Sequence, residues 1–212
     1  MIGASKSYFD ALGGDWDQLR KGFFSEKVRE KALELAAVEP GRVAADLGAG
    51  TGFVTEALVA RGLKVIAVDQ SQPMLEALRR KFPDHKAVDC RTGEAEQLPI
   101  DDAATDYSFA NMFLHHVDDP PRAIREMARI VRPGGRVVIT DLDTHDHEFL
   151  RSEQHDRWKG FARDDIRRWF REAALTNIQV EDLDESCCAT FCSGETAATS
   201  IFIASGIRGQ LP

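Results

Sequence analysis

The run Asp46-Leu47-Gly48-Ala49-Gly50-Thr51-Gly52 places glycine at three alternate positions. Glycine lets a backbone turn sharply and lets a ligand approach without meeting a Cβ. VAADL, at 43–47, reads as a buried strand ahead of the turn. FVTEALVAR, at 53–61, reads as a helix behind it, whose first turn offers free N–H groups to a ligand. A second strand, KVIAVD at 64–69, ends on Asp69, twenty-one positions after Gly48. A carboxylate there can accept both hydroxyls of a ribose. A glycine turn alone is a weak sign, since many strand–helix turns need glycine with no ligand present. The strand before it, the helix after it and the acid at the next strand end together point to a nucleoside.

Nicotinamide dinucleotides and S-adenosylmethionine (SAM) both offer such a ribose. The dinucleotide fingerprint is G-x-G-x-x-G, whereas here the last glycine, Gly52, follows Gly50 by two. Asp46 also stands two positions before the first glycine. A carboxylate repels a phosphate but helps to hold the ammonium of an amino acid. The cofactor that joins a ribose to an amino acid is SAM. A nicotinamide oxidoreductase is the disfavoured rival.

Five of the six histidines (His115, His116, His145, His147 and His155) follow the fourth and fifth expected strands. Imidazole titrates near neutral pH, so one of them could act as a general base. Each alone reads more simply as a structural or solvated residue. As a group they mark a polar acceptor pocket, with His116 the leading candidate and His115 beside it. Cys187, Cys188 and Cys192 fall between the last two strands. Thiolates there could hold a soft metalloid, or zinc with the nearby histidines. The CC-x-x-x-C spacing matches no zinc pattern, so they read as small apolar residues and no metal site is assigned.

These groups need a scaffold that brings strand ends together. A helix starts near Ser25 and stops at Pro40-Gly41. Further strands are expected at 86–90, 106–111, 136–141, 177–183 and 199–205. Helices are expected from Ser71 to about Lys81, from Asp119 to Ile130, and over 163–173. Alternation of strand and helix means right-handed crossovers and a mostly parallel sheet. The last two strands lack a helix between them and form an antiparallel hairpin at the edge. The outcome is one doubly wound α/β sheet with its ligand site at the carboxyl ends of the strands. Residues 1–24 stand apart as an arm rich in aromatics: Tyr8, Phe9, Trp16, Phe23 and Phe24. The helix at 163–173 mixes arginine with acid and reads as solvated, not as a nucleic-acid patch.

The 212 residues suit one domain, and 43% apolar with 29% charged residues excludes a disordered tail or a membrane bundle. Lys and Arg number 27 against 35 Asp and Glu, a net charge of −8. That balance argues against nucleic acid and anionic lipid as general partners. No apolar run reaches the ~18 residues of a membrane helix, and the start lacks a secretory core. The expected location is the cytoplasm, with thiols reduced.

DLGAGTG, VDQS, GEAEQLPI (93–100) and NMFLHHVDDPPRAIREMARIVRPGGRVVITDL (111–142) resemble the class I SAM-dependent methyltransferases. The similarity is greatest to the branch holding the menaquinone/ubiquinone-biosynthesis, arsenite and small-molecule methyltransferases. It is dense over 43–142, thins to about 175 and is poor outside. The resemblance implies a seven-stranded Rossmann-like sheet of order 3-2-1-4-5-7-6 with the last strand antiparallel. It implies that Gly48, Ala49, Gly50 and Gly52 line the methionine part of SAM, with Asp46 beside its amino group. Asp69 takes the ribose, Gln70 and Met74 flank the adenine, and Glu94 with Ala95 faces the adenine amino group. Glu94 stands where the family usually has aspartate. Asn111 lies beneath the sulfonium, and His115 and His116 border the acceptor. The arm at 1–24 acts as a lid with Tyr8 or Trp16 over the cofactor, ahead of a methyltransferase domain at 25–212; its plainer readings are core packing or a homodimer contact. The implied activity is in-line methyl transfer to a small-molecule acceptor. Two alternatives remain: thiol or metalloid methylation through the C-terminal cysteines, and a non-catalytic SAM-binding module.

Overall fold

In the computed structural model, strand β1 (Val43–Leu47) pairs in parallel with β2 (Lys64–Asp69) on one side and β4 (Thr105–Asn111) on the other. Strand β3 (Val88–Thr92) extends the sheet beyond β2, and β5 (Val131–Leu142) extends it beyond β4. The final strand, β7 (Thr196–Arg208), runs antiparallel between β5 and β6 (Leu175–Thr190). The order is β3-β2-β1-β4-β5-β7-β6. The structure describes residues 4–13, 16–83, 86–148, 150, 156–190 and 196–209. His155 and Cys192, singled out above, lie outside them. No helix among the described residues is long and apolar enough to cross a membrane.

Side-chain alternation along the strands builds a core on each face. Ala45, Val137, Ile139 and Phe202 face one core, which α6 (Pro120–Ile130) and α7 (Arg163–Glu172) cover with Ile124, Met127, Ile166 and Phe170. Ala44, Val138, Ile201 and Ile203 face the other. There α3 (Lys27–Ala36), α4 (Phe53–Ala60) and α5 (Gln72–Lys81) contribute Val28, Leu33, Leu58 and Leu78. The helix starts follow local chemistry. Ser71 caps α5 by accepting from Met74 N, and Asp119 caps α6 by accepting from Arg122 N at 3.0 Å.

Several boundaries differ from the sequence reading. Ser25 Oγ accepts from Lys27 N at 3.2 Å, but Glu26 holds the N-cap position, and α3 ends at Ala36 with Ala37 as its C-cap, left-handed at φ 49°. The stop precedes Pro40-Gly41 because the Ala37 N–H closes back on Glu34 O. Strand β3 lies two residues later than expected, where Val65 to Asp69 provide its ladder. Strand β5 begins at Val131, pairs with Thr105, slips, and resumes at Arg136. The β6–β7 hairpin is far longer than the apolar runs at 177–183 and 199–205, continuing to Thr190 and Thr196 through polar pairs such as Ser186–Ser200. The arm forms two short helices, α1 (Ala4–Leu12) and α2 (Trp16–Arg20).

Candidate functional site

Strand order reverses between β1 and β4, and the crevice of a doubly wound sheet opens at such a point. A cleft of about 670 Å³ lies there, walled by Asp46, Gly48, Ala49 and Gly50 from β1 and its turn, and by Asp69, Gln70 and Met74 from β2 and α5. Asn111, Met112, Phe113 and His116 close it from the end of β4. An adjoining lobe of about 640 Å³ shares Gly48, Asp69, Gln70, Phe113 and His116 and adds Glu94 and Ala95.

The glycines divide their work. Gly48 is left-handed at φ 63°, and a Cβ on it would sit 2.1 Å from Phe113 Cδ2. The Phe113 ring therefore packs directly on the turn and stands between the two lobes. Gly52 does not border either lobe. It starts α4 at φ 99°, where a Cβ would press on Leu78 Cγ at 3.2 Å. Its role here is steric support behind the turn, not lining.

Asp69 Oδ2 accepts from Gly50 N and Oδ1 accepts from Ser71 N, each at 2.8 Å. Burial raises its carboxyl above the usual range, and these N–H donors counter part of that rise. Asp69 lines both lobes. Asp46 is 2% exposed, and its Oδ2 accepts from Thr55 N at 2.9 Å and Thr55 Oγ1 at 2.6 Å. Burial pushes its pKa up to about 7, helped by the Asp69 charge, against the Thr55 bonds. Asn111 Oδ1 is held by the Thr140 hydroxyl at 2.8 Å.

The arm lies on this cleft. Ser71 Oγ donates to Asp10 and Thr51 Oγ1 donates to Asp17, both at 2.6 Å, and Lys81 pairs with Asp17 at 2.5 Å. Trp16 borders the cleft beside Gly50. From α1 it is Phe9, not Tyr8, that does so; the Tyr8 ring meets Phe9 edge-on at 5.3 Å. Sequence reasoning missed Arg20, the last residue of α2. It is 5% exposed, lines the cleft, and stacks on Phe53 with 3.8 Å from Cζ to the ring centroid. Its Nε has no hydrogen-bond partner among the described residues. A buried cation and a buried acid on the walls of one cleft suit a zwitterion, whose ammonium and carboxylate need opposite partners.

A third cavity, of about 460 Å³, adjoins the first and shares Phe9, Trp16, Phe24, Met112 and His116. Phe23, Leu142 and Leu150 make it largely apolar; His115, Asp156 and Cys187 are its polar groups. His115 and His116 end the short 3₁₀ turn Leu114–His116. Asp141, at the end of β5, accepts from Leu114 N and bonds His115 Nδ1 at 2.7 Å. Burial alone would lower the His115 pKa, but the Asp141 and Asp156 carboxylates more than offset this and raise it to about 9. Burial raises Asp156 to about 6 and the Cys187 thiol to about 12. Cys188 is exposed, as alternation along β6 requires. His145 accepts from His147 N at 3.2 Å, and neither ring borders the three cavities. Asp141 and Asp156 carried no sequence signal, since each acts only through a distant histidine.

Residues 45–139 match the family described as a methyltransferase domain. The chain is 44% identical over 109 residues to an uncharacterized methyltransferase of Mycobacterium tuberculosis, covering 51% of this chain and 43% of that protein. It is 38% identical over 99 residues to the demethylmenaquinone methyltransferase of Clavibacter sepedonicus, covering 47% and 40%. The chain thus spans under half the length of these curated relatives. Its fold is similar to the phosphoethanolamine N-methyltransferase 2 of Haemonchus contortus in complex with S-adenosyl-L-methionine. The TM-score is 0.70 at 17% identity, covering 86% of this chain and 52% of that one. Match, sheet order and cleft together identify residues 45–139 as a methyltransferase domain.

Proposed function

We propose that the chain is a cytoplasmic enzyme that binds SAM in the two-lobed cleft and methylates a small molecule seated in the third cavity. One observation carries this reading: His116 borders both cofactor lobes and the third cavity, so the spaces meet at one polar side chain. When bound, SAM supplies a methyl group already activated on a sulfonium.

The chain's own residues bind, align and exclude water. Asp69 accepts the ribose hydroxyls, with Gln70 and Met74 along the base and Glu94 with Ala95 at its far edge. Asp46 and Arg20 take the ammonium and carboxylate of the amino-acid end. Asn111 lies under the reacting centre. Phe9 and Trp16, on the arm at 1–24, form a lid that keeps water out. The acceptor rests among Phe23, Phe24, Met112 and Leu142, with its polar atom toward His116. His116 is then the group placed to receive a proton from the acceptor. His115, tied to Asp141 through Nδ1 at 2.7 Å, positions the histidine pair and does not act as the base.

The test is calorimetry with SAM, followed by turnover to S-adenosylhomocysteine across a panel of hydroxyl, amine and thiol acceptors. SAM binding with turnover on at least one acceptor is expected. SAM binding with silence on the whole panel would favour a binding module, and failure to bind SAM would overturn the reading.

A further inference from the structure

The geometry points to a site for a divalent transition ion of the zinc class, held by His115 Nε2, His116 Nδ1 and Asp156 Oδ1 at the wall of the third cavity. The inference rests on the reading of that cavity as the acceptor's seat, and it adds the chemistry that would act there.

The three donor atoms lie within 4.8 Å of one another, and all three side chains are largely withdrawn from solvent. His115 Nε2 is 3.8 Å and His116 Nδ1 is 3.9 Å from the same Asp156 oxygen. Those separations are too long for hydrogen bonds. Ligands around a tetrahedral ion with bonds of about 2.1 Å stand roughly 3.4 Å apart. The two separations to Asp156 therefore need to close by about half an ångström.

The site is built rather than accidental. In the tautomer that donates Nδ1–H to Asp141 Oδ1 at 2.7 Å, Nε2 of His115 is the ring's lone-pair atom and its direction is fixed. This is the carboxylate–histidine support found behind metal-binding imidazoles. Asp156 reaches the histidines from a distant segment because Arg157 N and Trp158 N both donate to His115 O, at 2.9 and 3.2 Å. The backbone thus straps the acid against the histidine pair. Asp156, 6% exposed, places a carboxylate in a largely apolar wall, a charge that a divalent ion would neutralise. Two imidazoles and one carboxylate favour a borderline ion over magnesium or calcium.

Three protein ligands leave the fourth position open, as in catalytic rather than structural zinc sites. The three ligands line the same cavity as Met112, Leu142 and Phe24. Cys187 lines the same cavity but its sulfur is not part of the cluster. The occupant of the open position is therefore a hydroxyl or thiol of the acceptor. The ion lowers the pKa of that group, and its proton leaves to water. His116 is then a ligand and not a base, so the two readings part company in experiment.

The test uses the full chain, stripped with a chelator and titrated with Zn²⁺ by calorimetry and with Co²⁺ by visible absorption. One ion per chain and the intense bands of tetrahedral cobalt are expected. Asp156→Asn and His116→Gln should each weaken Zn²⁺ binding by at least about 100-fold, and Asp141→Asn by roughly 10–100-fold. SAM affinity, measured in parallel, should be unchanged in Asp156→Asn and reports that this variant is folded. No stoichiometric binding to the native chain, or equal binding by the variants, overturns the inference. Loss of SAM binding with intact Zn²⁺ binding would instead overturn the methyltransferase reading.

Discussion

The Gly50 N–H donates to Asp69 Oδ2 at 2.8 Å, so the acid at the end of β2 fastens the glycine turn that follows β1. Asp69 thus shapes the loop as well as facing the cleft. Charge-assisted bonds to two hydroxyls are worth about 1.5–3 kcal/mol each. Asp69→Ala should weaken SAM binding by roughly 100-fold or more by calorimetry, while the far-ultraviolet circular dichroism stays native. Asp69→Asn keeps one acceptor for Gly50 and should fall between the two. Unchanged SAM affinity in Asp69→Ala would remove the basis for the nucleoside site.

Phe113 and Gly48 are a second coupled pair, because the ring occupies the space a Cβ would need. Gly48→Ala should cost about 1–2 kcal/mol through the left-handed φ, with a further cost from displacing the ring. Phe113→Ala in the same chain should remove the second cost alone. The expected signature is non-additivity of about 1 kcal/mol in a cycle of thermal or urea melts. Strict additivity would mean that the ring yields freely and plays no part in dividing the cleft.

The turn and the acid at 69 were legible because each depends on residues close in sequence, whereas the sheet order followed from the resemblance. A strand, three glycines and a helix fit within 43–60, and Ser71 and Asp119 mark helix starts through bonds to N–H groups three positions on. The long hairpin was not legible: its distal half pairs Ser186 with Ser200 and Cys187 with Thr199, which carry no apolar period. Arg20 was hidden because its burial comes from Phe53, which folds under it from another element. Asp156 was hidden for the same reason, since its place depends on Arg157 and Trp158 closing on His115. Local chemistry thus announces the glycine turn and Asp69, whereas long-range contacts bring Arg20 and Asp156 to the cavities.

Arg20 should discriminate among adenosine ligands. If its guanidinium meets the carboxylate of the amino-acid end, Arg20→Gln should weaken SAM and S-adenosylhomocysteine by roughly 10–100-fold. Affinity for 5′-methylthioadenosine, which lacks that carboxylate, should not move. Arg20→Met, which keeps the stem over Phe53, separates packing from charge. Equal losses for all three ligands in both variants would make Arg20 a packing residue only.

Asp46 should contribute to the pH response of the ligand-free protein, in the same sense as the raised Asp69, Asp156 and His115. Its folded pKa of about 7 lies above the ordinary value of 3.8, so between those values the folded chain holds a proton that the unfolded chain has released. Stability should therefore fall as pH rises from about 4 through about 7, the reverse of an ion-paired carboxylate. Asp46→Asn keeps an oxygen for Thr55 and carries no charge to bury. It should flatten that slope and gain about 2–4 kcal/mol at pH 8. The same change removes the partner of the SAM ammonium, so SAM affinity should drop by about tenfold or more. Binding of SAM by the native chain should tighten as pH rises through 7, because the ammonium prefers the ionised acid. Melts at pH 5 and pH 8 with and without SAM check both halves. A native chain more stable at pH 8 than at pH 5, with a variant showing the same slope, would show that the buried acid is not what titrates.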